Sequence, residues 1–214
     1  MKYIIMCGTN NPTFDEPRQL TRINDEPIVA RTIRLLREEG IDDIAISSND
    51  PRFDGFGVEV LHHENTFNYW KHIGRWVEAF YPTDEPTCYL FGDVVYSRHA
   101  IQTIINGSTT DVEFFASAPP FAKNYIKRWA EPLAFKVVDQ KHFKEAIQLV
   151  KDFAEQGLFC REPIAWELWQ VVKQTPLNQI DYTNYTVIND YSCDIDEPLD
   201  AVKLQERINE CQDT

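Results

Sequence analysis

Three aspartates, one in the middle of the chain and two near its end, are the residues best suited to chemistry. Asp93 directly follows Gly92 and an apolar run at residues 88–91, and Asp194 and Asp196 alternate along a segment that reads as extended. Alternation along an extended segment puts Asp194 and Asp196 on the same face. Carboxylate oxygens are preferred ligands of hard divalent cations. We therefore predict that Asp93 shares one metal ion with Asp194 or Asp196; the alternative is that these aspartates only form a turn and cap a helix.

A polar loop near the amino terminus has residues suited to holding phosphate. An apolar run at residues 3–6 leads into this loop, and Arg18, whose planar fork suits phosphate oxygens, follows shortly after it. A buried strand that leads into such a loop beside a cation is how α/β proteins often hold a nucleotide phosphate. The alternative is an ordinary connection with a surface arginine. The candidate ligands in the loop are Cys7, Gly8, Thr9 and Asn10.

Alternating strand and helix patterns must position these residues. The first helix is expected at residues 26–39, with Asp25 as its cap, Pro27 in its first turn and Gly40 as a left-handed terminator. The alternation predicts a mostly parallel sheet covered by helices, which the less regular second half extends with antiparallel or mixed strands. Because open α/β sheets bind ligands at the carboxyl ends of their strands, we expect the three polar segments at one edge. The expected strands are residues 2–7, 43–47, 57–61, 88–91, 112–116, 133–138 and 185–188, and the other expected helices are 68–81, 98–105, 141–156, 163–173 and 199–210.

The composition of the chain limits which partners it can bind. Its 214 residues, 43% of them apolar, are enough for one compact core, and we expect residues 1–214 to form a single domain. The formal net charge of −13 disfavours a nucleic-acid polymer or an anionic membrane as partner, since both attract basic surfaces. No apolar run approaches the roughly 20 residues of a membrane span. Five scattered cysteines without CxxC spacing indicate reduced thiols and a cytoplasmic location.

Three segments, taken in order, resemble the sugar-phosphate and alcohol-phosphate nucleotidyltransferases. In those enzymes a Pro-Lys-x-Leu stretch precedes I-x-G-x-P-(I/L)-(I/L)-x-x-x-I-x-x-L, and the counterparts here are PRQL at residues 17–20 and INDEPIV at residues 23–29. GD at residues 92–93 is similar to the family's metal-binding Gly-Asp, and DIDEPLD at residues 194–200 is similar to its closing Asp-(I/V)-Asp-Thr-Pro-Glu-Asp-Leu. The resemblance spans residues 2–205 with a poorly matching middle. It implies a Rossmann-like, GT-A-type three-layer α/β fold, with a mixed, mostly parallel sheet and helices on both faces.

The resemblance also implies an activity, the transfer of a nucleoside monophosphate from a nucleoside triphosphate to a small phosphorylated acceptor, with release of pyrophosphate. Mg²⁺ would be the cofactor, held by Asp93 with Asp194 or Asp196, and Arg18 would bind the β- and γ-phosphates. The PRQL segment looks closest to the cytidylyl-transferring branch, so CTP is the expected nucleotide; the acceptor is a sugar, polyol or choline-like phosphate. The other site residues it implies are Asn65, Thr66 and Gly92 in the nucleotide pocket, with Lys123 or Lys127 facing the acceptor.

The sequence departs from the family at its glycine-rich signature, roughly A-(A/G)-G-x-G-(S/T)-R. The second glycine is Asn10, the signature arginine is Pro12, and the lysine of Pro-Lys is Arg18. Losing one cation from a phosphate site weakens the stabilisation of charge as pyrophosphate leaves. Either another cation replaces it, with the basic patch at residues 123–128 as the candidate, or the activity is altered or lost.

Two other functions remain open. A glycosyltransferase of the same general fold would use a nucleotide sugar, but it normally shows Asp-x-Asp where this chain has GDVV at residues 92–95. A non-catalytic, nucleotide-binding regulatory protein is favoured by the altered signature and opposed by the retained aspartates. Trp166 and Trp169, three apart on a predicted helix, indicate core packing or a homodimer contact rather than base stacking.

Overall fold

The structure, a computed structural model, describes residues 1–8, 13–63, 77, 79–117, 130–159, 161 and 163–212. Within them, the α-helices are α1 (Ile28–Glu38), α2 (Arg98–Asn106), α3 (Gln140–Glu155), α4 (Ala165–Val172) and α5 (Pro198–Gln212). The strands are β1 (Lys2–Met6), β2 (Arg22–Ile23), β3 (Glu26–Pro27), β4 (Ile44–Ser47), β5 (Glu59–Leu61), β6 (Thr87–Phe91), β7 (Val94–Val95), β8 (Val112–Ser117), β9 (Pro132–Val137), β10 (Thr186–Ile188) and β11 (Cys193–Asp194). The helix expected at residues 68–81 falls largely outside the described residues. In the described part of the chain, every helix is too short or too polar to cross a membrane.

Seven of the strands form one mixed sheet in the order β10-β8-β9-β6-β1-β4-β5. β1 pairs in parallel with both β4 and β6, and β4 pairs in parallel with β5. β9 runs antiparallel to β6 and β8, and β10 runs parallel to β8. The first half is thus the parallel sheet, and the second half the mixed extension, that the sequence predicts. The carboxyl ends of β1, β4, β5 and β6 meet at one edge.

The central strand β1 is apolar along most of its length because both of its faces are covered. Tyr3 and Ile5 pack in a core with α1 and α2. Ile4 and Met6 pack in a second core with α3 and α4. Helices on both faces of the sheet confirm the three-layer α/β architecture implied by the resemblance.

Trp166 and Trp169 belong to the second of these cores. Both are buried. The Trp166 ring meets Phe114 edge-on with 4.9 Å between ring centroids, and its Nε1–H donates to the carbonyl oxygen of Ala130 at 3.1 Å. Core packing, one of the two roles predicted for this pair, is confirmed.

A third, smaller core lies beside the other two and holds the last helix. β2 and β3 form a two-stranded hairpin, and β7 and β11 form an antiparallel pair. Ile23 of β2, Val95 of β7 and Ile195, which directly follows β11, pack with α5 in one cluster. Within the β7–β11 pair, Asp194 lies opposite Val94. The end of the chain is thereby tied to the segment directly after β6.

The start of α1 differs from the sequence prediction. The helix begins at Ile28 after Pro27, and no side chain caps it. Asp25 instead lies in the turn between β2 and β3, with φ 63° beside Asn24 with φ 48°. Tight hairpins favour two successive left-handed residues, and Asn and Asp adopt that conformation more readily than most. The prediction that Asp25 caps the helix is therefore wrong, whereas Gly40 ends it with φ 79° as predicted.

Gly92 is the point of close approach between the turn after β6 and the end of β1. Its N–H donates to the carbonyl oxygen of Met6 at 3.1 Å. A Cβ atom at Gly92 would lie 2.4 Å from that oxygen and 2.9 Å from Sγ of Cys7. A change of side-chain rotamer cannot move a backbone oxygen, so only glycine fits here without a shift of the strand or the turn.

Gly92→Ala should lower the free energy of unfolding by about 1–3 kcal/mol, the usual cost of overpacking a core. Gly55→Ala is the matched control, because its Cβ would meet no atom within 4 Å. Its effect should stay within about 0.5 kcal/mol. Urea unfolding followed by circular dichroism measures both variants. Equal effects would show that the turn and β1 are not in close contact at Gly92.

Candidate active site

Arg18 lies at the centre of a cluster of opposite charges at the carboxyl edge of the sheet. Its Nη2 atom is 2.5 Å from Oδ2 of Asp93. Its Nη1 group donates to Oδ1 of Asp196 and to the carbonyl oxygen of Ile195, each at 2.9 Å. The Arg18 side chain is only 13% exposed, so these contacts form largely out of water. One guanidinium thus joins three segments that are far apart in the sequence.

The backbone at Arg18 is anchored at this edge of the sheet. Residues Arg18–Leu20 form a single 3-10 turn, in which the N–H of Leu20 donates to the carbonyl oxygen of Pro17 at 2.8 Å. Gln19 is fully buried, and Leu20 packs against the core that contains α1. Because the two residues after Arg18 are anchored, the turn cannot swing away from the sheet.

Asp93 is linked to the late segment through its backbone as well as its side chain. Its carboxylate is 14% exposed. Its carbonyl oxygen accepts a hydrogen bond from the N–H of Ile195 at 3.0 Å, which continues the pairing of β7 with β11 towards the cluster. The structure therefore brings the mid-chain aspartate and the late aspartates together.

Asp200 holds the loop that precedes α5. Its buried carboxylate accepts hydrogen bonds from the N–H groups of Asp196 and Glu197, both at 3.1 Å. The Asp196 carboxylate binds Arg18. The sequence could name Asp200 only as one of several acidic residues in this segment, and the structure shows that it fixes the backbone from which Asp196 projects.

The cluster has an excess of negative charge. Burial lowers the pKa of Arg18, but the charges of Asp93, Asp194 and Asp196 outweigh burial and raise this pKa above its ordinary value. These four side chains, one guanidinium (+1) and three carboxylates (−3), have a summed formal charge of −2. An excess of carboxylates over cations among these partly buried side chains favours the binding of a further cation.

The carboxylates fit Mg²⁺ by the chemistry of their donor atoms. Proteins usually hold this ion with one or two carboxylates, together with water and substrate phosphates. Asp93, Asp194 and Asp196 supply such carboxylates, and their excess charge matches that of a divalent ion. Among the described residues, no three metal-ligating side chains are already grouped to hold one ion. Oδ2 of Asp93 and Oδ1 of Asp196 instead bind Arg18.

Cys7, expected as a nucleotide ligand, lies in the core. Its N–H donates to the carbonyl oxygen of Ser47 at 2.9 Å, and its own carbonyl oxygen accepts from Oγ of Ser48 at 3.1 Å. Burial, and to a lesser extent the charge of Asp93, raises the pKa of its thiol well above the ordinary value. Cys7 therefore connects β1 to β4, and Gly8, which is half-buried, directly follows it.

The other ligands expected from the sequence, apart from Gly92, lie outside the described residues. They are Thr9 and Asn10 in the first loop, Asn65 and Thr66 of the expected nucleotide pocket, and Lys123 and Lys127 of the expected acceptor site.

Polar residues at the ends of β4 and β5 lie at the same edge, and the sequence analysis did not name Ser47, Ser48 or Asn49 among them. Oγ of Ser47 is buried without a hydrogen-bond partner in the described part of the chain. The side-chain amide of Asn49 donates to the carbonyl oxygen of His63, and Nδ1 of His62 lies 3.0 Å from the carbonyl oxygen of Ser48. These contacts tie the ends of the two strands together. The signal that could have found them is the polar run from Ser47 to Asn49 directly after an apolar strand.

Two solved structures share this architecture over almost the whole chain. The inositol-1-phosphate CTP transferase from T. maritima gives a TM-score of 0.58 at 14% identity, with 98% of this chain and 96% of that chain covered. A putative glucose-1-phosphate thymidylyltransferase from Bacillus anthracis, in complex with a sucrose, gives a TM-score of 0.57 at 14% identity, with 100% and 96% covered. This chain has the nucleotidyltransferase fold. No protein-family model and no curated protein matches the sequence.

The nucleotidyltransferase fold confirms the fold class that the resemblance implied. In this fold Asp93 lies directly after β6, and Arg18 contacts it from the segment that follows β1. Both therefore lie at the carboxyl ends of parallel strands, where open α/β sheets bind their ligands.

Arg18→Met should lower the free energy of unfolding by about 1.5–3 kcal/mol, the range for hydrogen bonds to charged groups. The physical reason is that the carboxylates around it would lose their counter-charge. Arg34 offers a matched control, because it bridges Glu26 and Glu38 at 2.8 and 2.9 Å but is 42% exposed. Exposed ion pairs contribute about 0–1 kcal/mol, so Arg34→Met should cost less.

Urea unfolding of both arginine variants at neutral pH measures this difference. An equal loss in Arg18→Met and Arg34→Met, or a gain in stability on removing Arg18, would contradict the described charge cluster.

Proposed function

We propose that the protein is a cytoplasmic, magnesium-dependent nucleotidyltransferase. It transfers a nucleoside monophosphate from a nucleoside triphosphate to a small phosphorylated acceptor and releases pyrophosphate. The observation that carries this proposal is the contact of Arg18 with Asp93 and Asp196. A cation suited to phosphate and carboxylates suited to a metal ion lie in one charge cluster, on a fold shared with two nucleotidyltransferases.

In this reaction the protein supplies position and charge rather than covalent chemistry. Asp93, with Asp194 or Asp196, would hold Mg²⁺, which when bound supplies positive charge to the phosphate oxygens. Arg18 and the backbone from Gly8 onward hold the β- and γ-phosphates, so the leaving pyrophosphate keeps its charge paired. A phosphate oxygen of the acceptor bonds to the α-phosphorus as the bond to the bridging oxygen of the β-phosphate breaks. No general base is required, because the acceptor phosphate is already ionised near neutral pH.

CTP is the proposed nucleotide, and a sugar, polyol or choline-like phosphate is the proposed acceptor. The choice of CTP rests on PRQL at residues 17–20, and the fold shared with a CTP transferase is consistent with it. Asn65 and Thr66 are proposed for the nucleotide pocket, and Lys123 or Lys127 for the acceptor phosphate.

Pyrophosphate release tests the proposal. Each of the four nucleoside triphosphates is assayed against a panel of phosphorylated sugars, polyols and choline, and turnover should require CTP, Mg²⁺ and one acceptor class. Asp93→Asn should lower kcat by about 10²–10³-fold, because a preorganised charge at the reacting phosphates is lost. Asp84→Asn is the matched control and should keep the native rate, since the Asp84 side chain is 98% exposed and pairs with Lys144 at 2.7 Å.

Two further measurements, nucleoside diphosphate release from nucleotide sugars and nucleotide binding in the presence of Mg²⁺, separate the alternatives. Release of a nucleoside diphosphate from a nucleotide sugar would instead indicate a glycosyltransferase. Binding of one nucleotide with Mg²⁺ but no turnover in any combination would contradict an enzyme and indicate a regulatory nucleotide-binding protein. An unchanged kcat in Asp93→Asn would remove that residue from the site.

A further inference from the structure

Arg18 and Mg²⁺ need the same carboxylate oxygens. In the structure Oδ2 of Asp93 and Oδ1 of Asp196 bind the two terminal nitrogens of Arg18. In the proposed reaction these carboxylates bind the metal ion and Arg18 binds phosphate. A guanidinium and a divalent cation held against the same oxygens would repel each other strongly, because the side chains of Arg18 and Asp93 are mostly shielded from water. In the described arrangement, the cation and the carboxylates therefore block each other's ligand sites.

We propose that Arg18 is a resident counter-ion of this site. It occupies the carboxylates while no substrate is bound, and it transfers to the phosphates when a metal–polyphosphate arrives. The metal ion and the polyphosphate therefore bind as a pair, and each binds weakly alone. This inference rests on the proposed function, and it adds the coupling between its two ligands.

The exchange of partners leaves Arg18 paired with anionic oxygens both before and after it. Arg18 leaves one set of anionic oxygens for another, and both sets accept charge-assisted hydrogen bonds of similar length and strength. With Arg18 in place the cluster has a formal charge of −2, and without it the three carboxylates have −3, so the departure of Arg18 increases the attraction for a divalent ion. A metal ion alone would have to expel Arg18 into water. A polyphosphate alone would leave the carboxylates unpaired.

The structure holds the backbone of Arg18 firmly but its side chain only at the tip. The 3-10 turn is anchored by buried Gln19 and by Leu20. Nε of Arg18 has no hydrogen-bond partner in the described part of the chain. A guanidinium that served only as a fixed structural contact would be stabilised by a hydrogen bond at Nε as well. The tip can therefore change partners while the turn stays in place.

Thermodynamic linkage between the two ligands determines how each variant should change their binding affinities. If a polyphosphate strengthens metal binding, then the metal strengthens polyphosphate binding by the same factor. Removing Arg18 opens the carboxylates to a metal ion without any polyphosphate. Removing one carboxylate releases Arg18 for a polyphosphate without any metal.

The first test titrates Mn²⁺, which is visible by electron paramagnetic resonance and replaces Mg²⁺, into the full chain without nucleotide. The native chain should bind Mn²⁺ weakly, and Arg18→Met should bind it at least about tenfold more tightly, within the usual range of coupling between sites. Arg34→Met is the control, because it also removes an arginine that bridges two carboxylates, Glu26 and Glu38, and it should match the native chain. Equal Mn²⁺ affinity in the native chain and Arg18→Met would overturn the proposal.

The reciprocal test does not depend on the folding of Arg18→Met. Inorganic tripolyphosphate is titrated by calorimetry, in the presence of EDTA, into the native chain and Asp93→Asn. Asp93→Asn should bind it at least about fivefold more tightly, because Arg18 is released. Asp84→Asn, which removes one negative charge from an exposed ion pair before β6, should leave the affinity unchanged. An unchanged or weaker affinity in Asp93→Asn would show that Arg18 is a fixed structural contact and would overturn the proposal.

Neither titration measures turnover, so the two proposals can fail separately. Coupled binding without pyrophosphate release from any nucleotide would support the counter-ion role of Arg18 and contradict the proposed catalytic activity. Turnover together with independent binding of the metal ion and the polyphosphate would support the catalytic activity and contradict the counter-ion role.

Discussion

The ion pair between Arg18 and Asp93 is the contact on which the rest of the site depends. It joins a cation from the segment after β1 to a carboxylate after β6, and the further bond to Asp196 adds the end of the chain. Without the guanidinium, Asp93, Asp194 and Asp196 would lose the positive charge with which all three interact, and this loss would oppose folding. The charges proposed for function therefore also contribute to the stability of the native structure, as charge clusters at active sites often do.

Strand pairing and one tight turn bring these charges together. Parallel pairing of β1 with β6 sets their carboxyl ends side by side, and Gly92 lets the turn after β6 pack directly against β1. The antiparallel pair of β7 and β11 then brings the late aspartates to that turn. Because each strand of this pair is only two residues long, the ion pair with Arg18 adds a connection that the short ladder alone cannot provide.

Apart from the helix expected at residues 68–81, which falls largely outside the described residues, hydrophobic patterns and turn residues predicted the strands of the main sheet and the helices around it to within a few residues. They missed the two-residue strands, and they assigned Asp25 to a helix cap instead of a hairpin turn, because two residues carry no periodicity. Arg18 and Asp93 could be named as site residues from their type and position. That they bind each other could not be predicted, since each was assigned to an external ligand and a sequence does not show which opposite charge a side chain meets.

The central claim is that the carboxylates and the guanidinium form one site that binds a metal–triphosphate. Anomalous diffraction at the manganese edge, from crystals grown with Mn²⁺ and a nucleoside triphosphate, tests it most directly. The account predicts a manganese peak beside the carboxylate of Asp93 and one of the late aspartates, with Arg18 on the phosphates. Manganese bound elsewhere, with Arg18 still paired to Asp93, would contradict it.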